Sequence, residues 1–464
     1  MLRLWHMFKT TVFLLLFAFP FTIVKGQDSN VMTLNECIEF ALENNSTLKM
    51  TQFNFEVARK DELGSYQNIL PTVSASTGTG RIEVGPSEYL SNEPVGIDPE
   101  TGNVIYEQRT RKIQKQFRQS SNASITASQP IFDGGIWWNS IRKAKMDKQS
   151  AEFNLQGQTN NIILQVQQAY FDLNKQIKLL EVNELAVNRS MDQLDRIEKM
   201  YELGARSQLD VFQARVTLGN DRINLISQQN IVEQAKKYLN MVMGRDPFAP
   251  LNIVSEISLG SGLDDLETLI NEAIENQPNL KKIESDIRSS ELTVSMAKGM
   301  NFPRLSAYVN YDRFHEDIIK VFSDFGKNYQ TRYGISLNFN IFNGFSDYIN
   351  VQKAEINRRY LLESREEYKR SLVSEIHQHY MDYKSYQDII QINKLNLEAA
   401  QEELRLAQER YQIGAGTFLE IREAQVNLTR AEQTLIAAQF NARIILAQLD
   451  YALGLTYKNY LNKL

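Results

Sequence analysis

The amino-acid sequence predicts an α+β membrane protein in which four β-strands per chain close into a barrel on assembly and continue into long α-helical coiled-coil hairpins. Three observations carry this prediction. Segments recur at constant offsets, apolar residues repeat every seven positions over proline-free stretches, and four short segments alternate apolar with polar residues. Composition narrows the function classes. The 464 residues carry 51 basic and 56 acidic side chains, a formal net charge of -5, which does not favour a nucleic-acid partner. Only 22 glycines and 10 prolines argue against linker arrays and low-complexity disorder.

At the N-terminus, Arg3 and Lys9 precede an apolar run from Thr11 to Val24. That run has the length of a signal-peptide core and is too short to span a bilayer comfortably. Val24 and Gly26 place short residues before Gln27, so 1–26 reads as a signal peptide cleaved after Gly26; the other reading is an N-terminal membrane anchor. Cys37 lies well past that site, inside a helical apolar pattern, and reads as a small buried residue rather than a lipidated first residue. A single cysteine excludes an internal disulfide and a cysteine metal cluster. No later segment approaches 18 uninterrupted apolar residues, so no transmembrane helix is expected in the mature chain.

The chain then repeats itself. Leu34 to Ser76 recurs at an offset of 232 as Leu266 to Tyr308, and a second register of 210 relates IFDGG at 131–135 to IFNGF at 341–345. The same register relates YELGARSQLDVFQA at 201–214 to YQIGAGTFLEIREA at 411–424, and Gly244 to Gly454. The difference of 22 residues falls in the first copy, where Arg81 to Phe117, with three prolines and many charges, reads as a long surface loop. The organisation expected is a first repeat over 27–244, a linker over 245–265, a second repeat over 266–454 and a tail over 455–464.

Each repeat holds a long hairpin, 136–244 and 346–454. Val166, Leu173, Leu180, Val187, Leu194 and Tyr201 recur at sevens, and Ile376, Tyr383, Ile390, Leu397, Leu404 and Tyr411 answer them. Such seams indicate coiled coils, and helices of this size would be about 100 Å long at 1.5 Å per residue. Before each strand pair another helix of about 36 residues is expected, opening in the first copy with a capping box at Thr33 and Glu36.

Four segments, near 70–81, 119–132, 304–312 and 329–342, alternate with period two. Tyr333, Ile335, Leu337, Phe339 and Ile341 share one face, and Gly334, Ser336, Asn338 and Asn340 the other. Apolar-out, polar-in strands of this length suit a bilayer, where open sheet edges are not tolerated. Four strands cannot close alone, so the chain must assemble. Symmetry permits a dimer of eight strands or a trimer of twelve.

At this point the residues resemble the TolC-type outer-membrane efflux proteins, or outer membrane factors. LNECIEFALENN and its echo LINEAIENQPNL, the QPIFDGG and NIFNGF junctions, and the Y-x-x-G-A turn carry the resemblance over nearly the whole mature chain. It implies a homotrimer with a twelve-stranded barrel in outer-membrane lipid, continued by a periplasmic helical tunnel that docks a periplasmic adaptor (membrane fusion) protein joined to an inner-membrane pump. The function implied is a passive exit duct for efflux or type I secretion, in the outer membrane of a Gram-negative bacterium. A periplasmic coiled-coil adaptor or structural protein is the alternative; two hairpins, each preceded by membrane-type strands, favour the channel.

The turns at Gly204 and Gly414 let the backbone reverse, and Ala205 and Ala415 keep the tip slim. The resemblance places adaptor contacts there, at Tyr201, Gly204, Ala205, Tyr411, Gly414 and Ala415. Glu420 and Glu423, one helical turn apart, would form two acidic rings near the tunnel mouth under trimeric symmetry and, with Asp210 in the matching position of the first copy, would set the channel's gate and selectivity, with Arg422 as an ordinary neighbour. His377 and His379 diverge around their helix, and Met296 and Met300 read as packing at a helix end. Walker, HExxH, GxSxG and CxxC patterns are missing, so no enzyme activity, cofactor or metal is expected.

Overall fold

The computed structural model describes residues 31–255 and 263–461; the expected signal peptide over 1–26 and part of the 245–265 linker lie outside the described residues. The chain forms two compact units. One comprises 45–165, 263–389 and 442–461, the other 31–44, 166–255 and 390–441.

The first unit is organised by a sheet. Strands β1 (Thr72–Val84), β4 (Gln116–Phe132), β5 (Arg304–His315) and β6 (Tyr329–Asn338) pair antiparallel in the order β1-β4-β5-β6. β4 and β5 cover the expected segments, β1 begins two residues later than expected and runs on to Val84, and β6 stops at Asn338 and leaves Phe339 to Phe342 outside the ladder. The segment Arg81 to Phe117 is not a loop. It holds β2 (Ser87–Ile97) and β3 (Val104–Ile113), a hairpin in register from Ser87↔Ile113 to Ile97↔Val104. Its prolines stand where a ladder tolerates them: Pro86 between β1 and β2, Pro94 at a bulge, and Pro99 in a turn closed by Asp98, which accepts from the Glu100 and Thr101 N–H groups. Its charges pair across strands, with Lys112 2.8 Å from Glu88 and Arg111 2.6 Å from Glu93.

The long helices α3 (Ile136–Glu202) and α8 (Ser346–Gln412), of 67 residues each, follow the sheet's second and fourth strands. Asp133 caps α3, its carboxylate accepting from the Ile136 and Trp137 N–H groups at 2.9 Å. The lone glycine of α3, Gly157, has a packing reason. A Cβ there would stand 2.8 Å from the Asn279 amide oxygen, so the missing side chain admits the start of α6 (Pro278–Gly299). The expected 36-residue helices are broken in two. Chain geometry turns extended at Asn45, between α1 (Leu34–Asn44) and α2 (Ser46–Ser65), and at Gln277, between α5 (Leu266–Asn276) and α6. Pro278 disfavours helical geometry at Gln277, and Asn45 caps the new helix by accepting from the Leu48 N–H. A core of Leu269, Ala273, Leu372, Ile376 and Leu449 joins α5 and α8 to α9 (Phe418–Ala452). The expected tail holds a short helix, α10 (Thr456–Leu461), seated by the Asn160 side chain, which accepts from the Tyr457 N–H.

The second unit is helical, built from α1, α4 (Gln208–Met243) and the adjoining parts of α3, α8 and α9. The capping box at Thr33 and Glu36 is formed in both directions. Part of the expected linker pairs back onto the chain before α1, where Met32 bridges Ile253. Cys37 is fully buried, and burial, reinforced by Glu36 and opposed by Arg245, pushes its thiol up to about 12. At pH 8 only about one thiol in ten thousand would be ionised. Cys37 is therefore expected to resist a thiol-specific chromogenic disulfide in the folded protein and to react fully in denaturant, as absorbance would record.

Candidate functional site

Each long hairpin turns by the same local device. Gly204 and Gly414 adopt φ of 72° and 76°, in the left-handed region that costs a side chain energy. Ala205 N–H donates to Met200 O and Gly204 N–H to Tyr201 O, both at 2.8 Å; Ala415 and Gly414 repeat the pattern with Arg410 and Tyr411. This crossed pair of bonds is the Schellman cap, and it also closes α4 at Gly244 and α9 at Gly454.

Beyond the turns the two hairpins differ. Ser207 and Asp210 form a full capping box, Asp210 accepting from the Ser207 N–H at 3.1 Å and from its hydroxyl at 2.8 Å. Asp210 is thus committed to its own helix end. Thr417 caps the Glu420 N–H, but the Glu420 carboxylate turns instead toward Arg410, 3.6 Å away, while Glu423 stays exposed. The acidic position is therefore half-neutralised at Glu420 and bare at Glu423.

The aromatic residues that precede the turns also part company. Tyr201 is exposed, whereas Tyr411 is buried in a cluster with Ile197, Val211, Leu404, Phe418 and Ile421. Arg206, in the first turn, covers it: its guanidinium carbon lies 3.7 Å from the Tyr411 ring centroid, and Nη2 donates to Tyr411 O at 3.0 Å. One arginine therefore ties the first turn to the last residues of α8. The seven-residue seam of α8 stays inward at Ile376, Tyr383, Ile390, Leu404 and Tyr411, while in α3 the buried stripe shifts to Ala186, Ser190, Gln193 and Ile197.

A polar cavity of about 460 Å³ lies further along the same unit, lined from α3, α4 and α9. Asp221 sits in it among Arg189 and Arg422; burial raises its carboxyl above the usual range, against the Ser190 hydrogen bond and both arginines. Arg189 also holds Glu432 at 3.0 Å and donates to Thr429. Arg422 thus serves this cavity rather than the acidic pair.

In the sheet unit the two faces have opposite chemistry. Val73, Ala75, Ile125, Ala127, Val309, Tyr333 and Ile335 share one face by register, and Ser74, Ser76, Ser124, Asn310, Asp312 and Ser336 the other. Hydroxyls pair on the polar face, Ser76 with Ser124 and Ser306 with Ser336, each at 2.8 Å, and Arg332 pairs with Asp312 at 2.9 Å. Tyr333 is 79% exposed and Ile335 and Leu337 67% each, an apolar surface that water does not suit. Aromatic residues flank it, with Phe322, Phe325 and Tyr329 toward one end and Phe132, Phe302, Phe339 and Phe342 toward the other. An apolar band between two aromatic girdles is the surface of an outer-membrane β-structure.

The sequence matches the profile of the outer membrane efflux protein family over residues 37–245 and 269–455. The chain belongs to that family. This outer membrane efflux protein is 22% identical over 429 residues to the probable efflux pump outer membrane protein TtgC of Pseudomonas putida strain KT2440, covering 91% of this chain and 82% of TtgC. It is 22% identical over 358 residues to the outer membrane protein TolC of Escherichia coli K12, covering 72% of this chain and 69% of TolC. Its fold is that of a solved CusC structure, with a TM-score of 0.75 at 19% identity over 91% of this chain and 92% of that one.

In this efflux protein the sequence motifs locate the turns and the acidic pair, but not the groups that engage them. Arg206 and Tyr411 are 205 positions apart, and Arg410, the partner of Glu420, lies on the preceding helix. The one available signal is the departure between repeats: Arg206 stands where the second copy has Gly416.

Proposed function

We propose that three copies of the chain close their sheets into a twelve-stranded barrel in the outer membrane and their helical hairpins into a periplasmic tunnel, through which a pump and its adaptor discharge substrate passively. The observation that carries this reading is the sheet itself: β1 and β6 are its edges, and its apolar and polar faces alternate residue by residue. An open edge has no place in hydrocarbon, so β1 of one copy pairs with β6 of the next. Closure at twelve strands rather than eight is favoured by the polar face, whose Gly78, Gly80, Ser74, Ser76, Ser124 and Ser336 are too small to fill a narrow interior. The constant offset of 210 between α3 and α8 and between the paired turn glycines supports an origin by duplication.

In this assembly the turns face the adaptor, with Tyr201, Gly204, Ala205, Gly414 and Ala415 as contact surface and Tyr411 beneath it. Glu420 and Glu423 form the acidic gate, Glu423 bearing the freer charge, and Asp210 shapes the first turn. Detergent-extracted protein is expected to have the mass of three copies and to conduct in planar bilayers; a monodisperse, detergent-free monomer would defeat the reading. Glu423→Gln should lower cation selectivity more than Glu420→Gln, and the double variant most of all. Reversal potentials in a salt gradient test this, and unchanged values in the double variant remove both residues from the gate.

A further inference from the structure

The connection between β5 and β6 does not extend away from the sheet. It folds back over the apolar face, carrying the short helix α7 (Ile318–Val321), and is tied down at several points. The fully buried Ser121 donates to Glu316 O at 3.2 Å, and Phe314 N–H donates to Asn328 O at the same distance. Arg313 makes the central clamp, the two hydrogens of its Nη2 shared among Ser323 O at 2.7 Å, Asp324 O at 2.9 Å and, more weakly, Lys327 O at 3.3 Å.

Register decides which face this is. Arg313 pairs with Ala123 and Tyr329, and Tyr311 with Ile125 and Thr331, so both belong with Val309 and Tyr333 on the apolar side. Between loop and strands lies a groove of about 310 Å³, walled by Ala75, Ala123, Ile125, Tyr311, Phe322 and Phe325. It stands at the strand ends remote from α3 and α8, which follow the opposite ends of β4 and β6.

Arg313 also lines the groove. It is 3% exposed, its guanidinium stacks 4.5 Å from the Phe325 ring centroid, and its Nε and Nη1 have no hydrogen-bond partner among the described residues. Of the neighbouring carboxylates, Asp312 is on the other face and pairs with Arg332, and Asp324 pairs with Lys327 at 3.4 Å. A buried guanidinium held only by neutral carbonyls calls for an anion. An apolar slot on a face turned to hydrocarbon, ending at such an arginine, has the chemistry of an amphiphile's two parts.

We propose that this groove holds one acyl chain of an anionic, phosphate-bearing lipid, with the headgroup drawn to Arg313 at the outer rim of the barrel. The assignment rests on the reading of the sheet as part of a membrane barrel. Its test is native mass spectrometry of the detergent-purified full chain, titrated with dioleoyl phosphatidylglycerol or dioleoyl phosphatidylcholine. Phosphatidylglycerol is expected to bind at least tenfold more tightly. Ala123→Trp, which fills the groove, should weaken that binding at least tenfold, and Arg313→Gln should bring the two lipids to parity. Ala75→Phe replaces Ala123→Trp should the latter not assemble. Equal binding of both lipids by the unaltered chain, or unchanged phosphatidylglycerol binding in a groove-filled variant that still inserts into vesicles, overturns the proposal. A chain that needs no detergent and does not insert overturns the barrel reading instead.

Discussion

Gly134→Ala is expected to destabilise the protein by at least about 4 kcal/mol and to leave little assembled channel, whereas Gly344→Ala at the matching position should cost about 1 kcal/mol. Both glycines have left-handed backbones, with φ of 77° and 68°, so both variants carry the strain of a side chain there. Only Gly134 is also crowded. A Cβ on it would lie 2.2 Å from Gly299 O and 3.0 Å from the Phe302 Cβ, where the turn after β4 passes the end of α6. Around Gly344 a Cβ meets nothing within 4 Å among the described residues. Backbone cannot yield as a flexible side chain does, so relief at Gly134 requires shifting α6 or the Asp133 cap of α3. The check is the yield of heat-resistant oligomer in outer-membrane fractions, with thermal unfolding of whatever assembles. Equal losses in the two variants would show that backbone angle alone governs the junction.

That pair of glycines also marks the boundary of what the sequence discloses. Features that depend on neighbours along the chain are legible: the turn glycines, the capping box at Thr33 and Glu36, the seam of α8 and the two chemistries of β6 all answer to spacings of two to seven residues. Features that depend on partners far along the chain are not. The ribbon of β2 and β3 carries so many charges that it reads as a solvated loop, yet those charges are cross-strand pairs such as Glu88 with Lys112. The break at Gln277 is announced by Pro278, but its matching break at Asn45 has no proline and rests on a side-chain cap. At the turns, repetition makes the two hairpins look equivalent. The structure separates them through Arg206, which has no counterpart in the second copy. Matched sequence thus places the architecture, and the departures from matching place its asymmetric contacts.

On the reading that opening draws the first turn away from the end of α8, Arg206→Ala is expected to raise the ratio of open to closed time by about 30-fold. Arg206 combines a charged hydrogen bond to Tyr411 O with a cation–π contact on the same residue. In partly solvated surroundings these together are worth about 2 kcal/mol, and 1.4 kcal/mol corresponds to tenfold in an equilibrium. The two contacts span the hairpins, so any motion that separates the first turn from the end of α8 must break both together. Tyr411 itself stays packed against Leu404, Phe418 and Ile421, which keeps the second hairpin intact when the strap is removed. Arg206→Lys retains the charge but loses the planar stack and the fork, and should fall between the two. Single-channel recording in planar bilayers at fixed salt reads these ratios directly. Alanine and lysine variants that gate like the unaltered protein would assign Arg206 to the stability of the turn alone, and a Tyr411→Phe variant, which retains the carbonyl and the ring, should then gate normally in either case.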